Sequence, residues 1–199
     1  MERLKGTAAI ICEFNPFHFG HKHLLDVAHS EYPVVFGIMS GNLIQRGGNA
    51  CADKYLRASA AVECGFDGVL ELPFPFSSLS ARDFARAGVH IAEEAGFEAL
   101  VFGAEDPQAV KAATEIVRCA SFEQEVSQLV KEKKNLSYPK ATEQILAKSL
   151  GEETAKLLSK PNNILALEYI KAASKRDILK IRIVPRSPDF ASAGSLRRS

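Results

Sequence analysis

Almost no net charge is left on this sequence: 25 Lys and Arg face 24 Asp and Glu over 199 residues, for a balance of +1. A chain-wide basic field that would gather nucleic acid is therefore excluded, and such a partner must be met by a local patch. Cysteine is scarce too. Cys12, Cys51, Cys64 and Cys119 are the whole set, and none is spaced C-x-x-C. That spacing argues against a zinc site and against a disulfide framework, and predicts reduced thiols in the cytoplasm. Long apolar runs are also missing. The run "AAIIC" near the start is too short for a signal-peptide core, and no stretch approaches the roughly 20 residues of a membrane helix. The expectation is a soluble, cytoplasmic protein with no membrane partner and no resident metal. Internal repeats and low-complexity linkers are absent, so one domain over 1–199 is expected.

What is there is a globular balance, 46% hydrophobic and 25% charged, able to bury a core. Short apolar runs recur at 7–12, which is β-rich, and at 32–40, 67–73 and 99–105. Each reads as a buried strand. Between them, 20–30, 52–65 and 80–96 carry helical spacing, with Ser80 as an N-cap and Gly65 and Gly96 as stops. Continuous apolar strands alternating with helices predict an α/β fold, a doubly wound parallel sheet covered on both faces. From about 107 to 175 the pattern turns helical, with candidates near 107–119, 122–133, 139–149, 152–158 and 163–175. A further strand is expected over 178–186. In such a sheet ligands bind beyond the carboxyl ends of the strands, so those ends are where chemistry is sought.

The first strand end reads "CEFNPFHFGHKH" and holds three of the five histidines, His18, His21 and His23. His18 and His21 are three apart around Gly20, which lets backbone and ligand approach closely. The helix that follows points free N–H groups and its positive dipole end at the crevice. Two imidazoles there can donate to a phosphate and meet the charge that grows during nucleotidyl transfer. Phe17 or Phe19 is expected to pack beneath the loop. The second strand end offers Ser40, Asn42, Arg46, Lys54 and Arg57. Lys54 and Arg57 share a helix face and read either as phosphate or RNA contacts or as a solvated face.

H-x-G-H after the first strand resembles the signature of the nucleotidyltransferase superfamily. The longer strings "EFNPFHFGHKH", "MSGNLIQRG", "VLELPFPF", "VFGAED" and "KPNNILALEYI" resemble the tRNA(Met) cytidine acetate ligase family. The resemblance implies a Rossmann-like fold with a helical C-terminal portion. It also implies a ligase, an RNA-binding enzyme of tRNA modification. Such an enzyme activates acetate with ATP to acetyl-adenylate, with Mg2+ carried by the nucleotide. It then passes the acetyl group to the exocyclic amine of the wobble cytidine of elongator tRNA(Met).

Position by position, the resemblance implies an ATP-binding loop of Ile11, Cys12, Glu13, Phe14, Asn15, Pro16, Phe17, His18, Phe19, Gly20, His21, Lys22, His23 and Leu24. His18 and His21 would be the catalytic, phosphate-contacting pair. Gly103 would lie against the nucleotide, Asn162 rather than Asn163 would contact it, and Arg186 with Ser187 would bind it. Asn162 is also placed to cap a helix starting at Ile164. Ser192, Ser195 and Arg197 match a serine-rich loop that closes over phosphates. For acetate, a small apolar pocket with one donor would suffice, lined by Cys12, Phe14 or the "LPFPF" turn. The family's further C-terminal region is expected to be missing, and tRNA acetylation by this chain alone is expected to be weak. Two other readings stay open: another nucleotidyltransferase acting on a small phosphate substrate, and a non-catalytic nucleotide- or RNA-binding module.

Overall fold

Nine residues at the start, Leu4–Cys12, form the strand β1 on which the molecule is built. In the computed structural model, which describes residues 3–186 with the side chain of Arg46 excepted, β1 is followed by α1 (Phe19–Glu31), β2 (Val34–Ser40), α2 (Lys54–Glu63), β3 (Gly68–Leu72), α3 (Ala81–Glu94) and β4 (Phe97–Ala104). Five helices then intervene: α4 (Pro107–Arg118), α5 (Ala120–Glu132), α6 (Tyr138–Leu150), α7 (Glu152–Leu158) and α8 (Pro161–Ala173). The chain returns to the sheet as β5 (Lys180–Pro185).

The sheet has the order β3-β2-β1-β4-β5, and every pairing is parallel. The α/β, doubly wound fold read from the sequence is therefore present. Side chains along a strand alternate between faces, so β1 feeds two cores at once. Ala8, Ile10 and Cys12 pack with Leu25 and Ala28 of α1 and Ala61 of α2. Ala9 and Ile11 pack on the other face with α3, α4 and α8 through Phe84, Val89, Val110 and Leu167. A fully buried Leu or Phe contributes about 1.5–3 kcal/mol, so these two layers dominate the stability. The face under α3 is close-packed: a Cβ on Gly88 would sit 2.7 Å from Ile11 Cδ1, so only glycine lets the helix reach the strand.

Strand order reverses between β1 and β4. That places a crevice at the carboxyl ends of these two strands, opened by the divergent paths of the chain after them. The elements arriving there are the loop after β1, the start of α1, the end of β4, the start of α8 and the end of β5.

The start of α8 differs from the expectation. The helix begins at Pro161, not Ile164, so Asn162 stands in its first turn rather than capping it. The cap comes from another element. Glu105, just past β4, accepts from the backbone N–H groups of Asn162 (3.2 Å) and Asn163 (2.9 Å) and from Asn162 Nδ2 (2.6 Å). A carboxylate on the positive end of a helix dipole locks α8 to the strand end. Asn163, fully buried, completes the lock. Its Oδ1 accepts from the Asp106 N–H at 3.1 Å and its Nδ2 donates to Leu157 O at 2.9 Å.

Candidate functional site

The loop after β1 turns on Phe14, whose φ of +46° lies in the left-handed region that large side chains seldom adopt. The turn drives its ring into the interior, where it is fully buried. Phe17 lies 5.0 Å from it and Phe66 5.2 Å, and the ring edge meets His21 at 5.1 Å. Of the two phenylalanines expected beneath the loop, Phe17 is there and Phe19 is not: Phe19 is 78% exposed. Asn15 is buried, and its Oδ1 accepts from the Cys51 N–H at 2.6 Å, tying the loop to the segment after β2. Glu13 adds a second tie, accepting from the Gln45 N–H at 2.8 Å.

His18 and His21 form a capping box made of imidazoles. His18 is the N-cap of α1, and its Nδ1 accepts from the Gly20 N–H at 3.1 Å. His21 Nδ1 accepts from the His18 N–H at 3.3 Å. The rings stack with centroids 3.8 Å apart and 21° between planes. An Nδ1 that accepts carries no proton, so each ring keeps its proton on Nε2. Burial holds His21 down to a pKa of about 3, with His18 and Arg186 adding repulsion against a charged ring. Burial lowers His18 as well, again helped by Arg186. The site thus holds two neutral rings, each with an Nε2–H donor. Beside a helix N-terminus this is a donor set for an anion, and an arriving triphosphate would supply the opposite charge that the rings lack.

A cleft of about 280 Å³ opens here. Of the residues expected in the site, Ile11, Cys12, Glu13, Phe14, Asn15, His18, Gly20, His21, His23, Leu24, Gly103, Asn162 and Arg186 line it. Pro16, Phe17, Phe19 and Lys22 do not. Lys22 instead pairs with Asp26 along α1. Arg186 donates its N–H to Ala104 O at 2.9 Å, which brings its side chain across the end of β4. There Gly103 leaves room: a Cβ would meet Arg186 Cγ at 3.3 Å. Asn162 lines the cleft, whereas Asn163 spends both ends of its amide on internal bonds.

At the second strand end the structure separates Arg57 from Lys54. Arg57 is not a surface cation. It is 4% exposed, and its guanidinium donates to the carbonyls of Ala52 (3.0 Å), Glu13 (2.5 Å), Ser40 (3.1 Å) and Gly41. It clamps the ends of β1 and β2 together, with four of its five N–H donors spent on these carbonyls. Lys54 pairs with Glu71 at 2.8 Å and does not line the cleft. The side chain of Arg46 and the residues Ser187, Ser192, Ser195 and Arg197 lie outside the described set. The four cysteines are all free. Among the described residues no three His, Cys, Asp or Glu side chains gather to hold a metal ion, and no helix is long and apolar enough to cross a membrane.

Sequence reasoning missed Phe84, Phe102, Leu165 and Tyr169, which also line the cleft. A signal for two of them was present: Asn162, Leu165 and Tyr169 are spaced three and seven apart, one face of α8.

Several known proteins are similar to this chain. The sequence profile of the family described as HIGH Nucleotidyl Transferase matches residues 6–197. A curated tRNA(Met) cytidine acetate ligase of Streptococcus mutans is 41% identical over 201 residues, which are 96% of this chain and 53% of the relative. Another, from Syntrophotalea carbinolica, is 39% identical over 177 residues, 83% of this chain and 41% of the relative. The chain thus spans about half the length of the curated relatives it matches. The crystal structure of Thermotoga maritima TmcAL bound with alpha-thio ATP superposes on all of this chain with a TM-score of 0.83 and 30% identity, using 50% of that chain.

Proposed function

The chain belongs to the HIGH nucleotidyl transferase family, and from that premise we propose that it is the adenylating part of a tRNA(Met) cytidine acetate ligase. The observation that carries the reading is the His18–His21 box. Its Nδ1 atoms are spent on the helix cap, and its Nε2–H donors are left for a phosphate at the switch point of the sheet.

In this reading ATP enters the cleft with its phosphates toward the start of α1. Gly103, Asn162 and Arg186 flank the nucleotide. An acetate oxygen attacks the α-phosphorus, the bond from that phosphorus to the bridging oxygen breaks, and pyrophosphate departs with the electron pair. Negative charge grows on the phosphate oxygens as this happens. Donors preplaced for that charge are worth far more in a water-poor cleft than in bulk water, about 100- to 1000-fold in rate for each. Mg2+ would arrive on the triphosphate rather than on a site of the protein. In the second step the exocyclic amine of the wobble cytidine of elongator tRNA(Met) attacks the acetyl carbonyl carbon. The carbon–oxygen bond to AMP breaks, AMP leaves with that oxygen, and the amine loses a proton to solvent. Such a substrate puts the work in the cytoplasm.

ATP–pyrophosphate exchange with and without acetate tests the reading. Acetate-dependent exchange is expected. Exchange that instead requires a phosphorylated co-substrate would make the chain a different nucleotidyltransferase. ATP binding without any exchange would make it a binding module.

A further inference from the structure

The cleft that holds the two histidines also has a wall without charge. Ile11 of β1, Phe84 of α3, Phe102 of β4 and Leu165 of α8 supply it. Phe84 and Phe102 are buried behind the cleft surface and cannot retreat far. One polar atom stands in this wall. Tyr169 is only 4% exposed, and its ring lies 5.2 Å from that of Phe102. Tyr169 lines the cleft, and among the described residues its hydroxyl makes no hydrogen bond. Buried phenols ordinarily find a partner. This one keeps a hydrogen to give.

Burial raises the Tyr169 pKa, and negative charge at Cys12 and Glu13 would push the same way, in keeping with a phenol near the end of β1. The hydroxyl therefore remains a donor through the whole working range of pH. A lone neutral donor in an apolar wall fits one small anionic head with a short apolar tail. The Glu13 carboxylate, at the end of β1 in the same cleft, accepts from the Gln45 N–H. A second charge on the ligand would be desolvated against Ile11, Phe84, Phe102 and Leu165 without compensation.

Resting on the reading of the chain as an adenylate-forming enzyme, we propose that Tyr169 donates its hydroxyl hydrogen to the carboxylate being activated. The wall of Ile11, Phe84, Phe102 and Leu165 takes the alkyl group, limiting it to two or three carbons in all. Tyr169 is thus the residue that selects a short monocarboxylate, and α8 carries nucleotide and acid contacts on one face, at Asn162 and Tyr169.

The test is ATP–pyrophosphate exchange by the 199-residue chain with acetate, propionate, butyrate, malonate or no acid, for the wild type, Tyr169→Phe and Leu165→Ala. Tyr169→Phe keeps the ring and its packing. It is expected to raise the KM for acetate roughly 10- to 100-fold, the loss of one hydrogen bond to a charged group, while the KM for ATP stays within about twofold. Leu165→Ala is expected to shift preference toward propionate and butyrate by about tenfold. An unchanged acetate KM in Tyr169→Phe, or a rise in the ATP KM instead, would overturn the assignment and leave acetate activation standing. Wild-type exchange with another short acid but not acetate, weakened by Tyr169→Phe, would keep the subsite and overturn acetate as its occupant. Malonate as good as acetate would refute the uncharged wall as a selector. No exchange with any acid would refute both the subsite and the adenylation reading.

Discussion

His21 has two ring nitrogens with separate work, and substitution can take them apart. Nδ1 caps α1 by accepting from the His18 N–H. Nε2–H faces the cleft and is assigned to phosphate. His21→Ala removes both. The lost cap costs about 1 kcal/mol. The lost ring leaves a gap beside Phe14 and Phe17, 5.1 and 5.5 Å away, for another ~1–2 kcal/mol, below the range for a large, fully buried side chain. The lost donor lowers kcat about 100- to 1000-fold. His21→Asn places a carbonyl oxygen near the position of Nδ1 and no donor near Nε2. It should keep stability within about 1 kcal/mol of the wild type and still lose the 100- to 1000-fold in kcat. His21→Gln restores a donor near Nε2, and a Gln at this third helical position can also accept from the His18 N–H: stability within about 1 kcal/mol of the wild type, and exchange within roughly tenfold. Urea titrations and exchange kinetics, measured on all three, check the pattern. If His21→Asn keeps near-normal exchange, the histidine is a helix cap and nothing more, and the phosphate role is wrong.

The two asparagines of α8 should separate in the same way. Asn163→Ala strands the buried Asp106 N–H and Leu157 carbonyl and is expected to lower stability by about 2–3 kcal/mol by urea titration, whereas Asn162→Ala should mainly raise the KM for ATP several-fold. Gly103→Ala sets a Cβ 3.3 Å from Arg186 Cγ, so the arginine must shift; the KM for ATP should rise about 3- to 10-fold with little change in Tm. Acid should destabilise the protein through His21. Its folded pKa near 3 lies below the 6.5 of a free imidazole, so the unfolded chain binds the proton first as pH falls. This contribution is fully present above about pH 6.5 and is lost between there and pH 3. The stability–pH curve of His21→Asn should be flatter in that window, as measured by urea midpoints at several pH values.

How much was legible follows from what each signal depends on. The strands and helices of the doubly wound sheet showed because their apolar runs and periods are local. H-x-G-H showed because three residues suffice to put one ring on the N-cap of α1 and the other on its first turn. Arg57 was misplaced because i, i+3 spacing with Lys54 tells that two side chains share a face, and not that the face turns toward the carbonyls of Glu13, Ser40 and Gly41. Glu105 as the cap of α8 joins positions 57 residues apart, which no local pattern carries. The apolar wall was missed for the same reason. Ile11, Phe84, Phe102 and Tyr169 come from four elements, and only the strand order β2-β1-β4 with α3 and α8 on one face brings them together. Each alone looks like ordinary core.

The central claim is that a carboxylate oxygen attacks the α-phosphorus of ATP in this cleft, and the fate of that oxygen tests it most directly. The chain is incubated with ATP and acetate labelled with 18O in both oxygens, with hydroxylamine as acyl acceptor, and the AMP formed is examined by mass spectrometry. Attack through the carboxylate forms a phosphorus–oxygen bond that survives acyl transfer. One 18O per AMP is therefore predicted, matched by one equivalent of acetyl hydroxamate, and both should fall at least 100-fold in His18→Ala and His21→Ala. AMP without label, or ADP in its place, would contradict the mechanism.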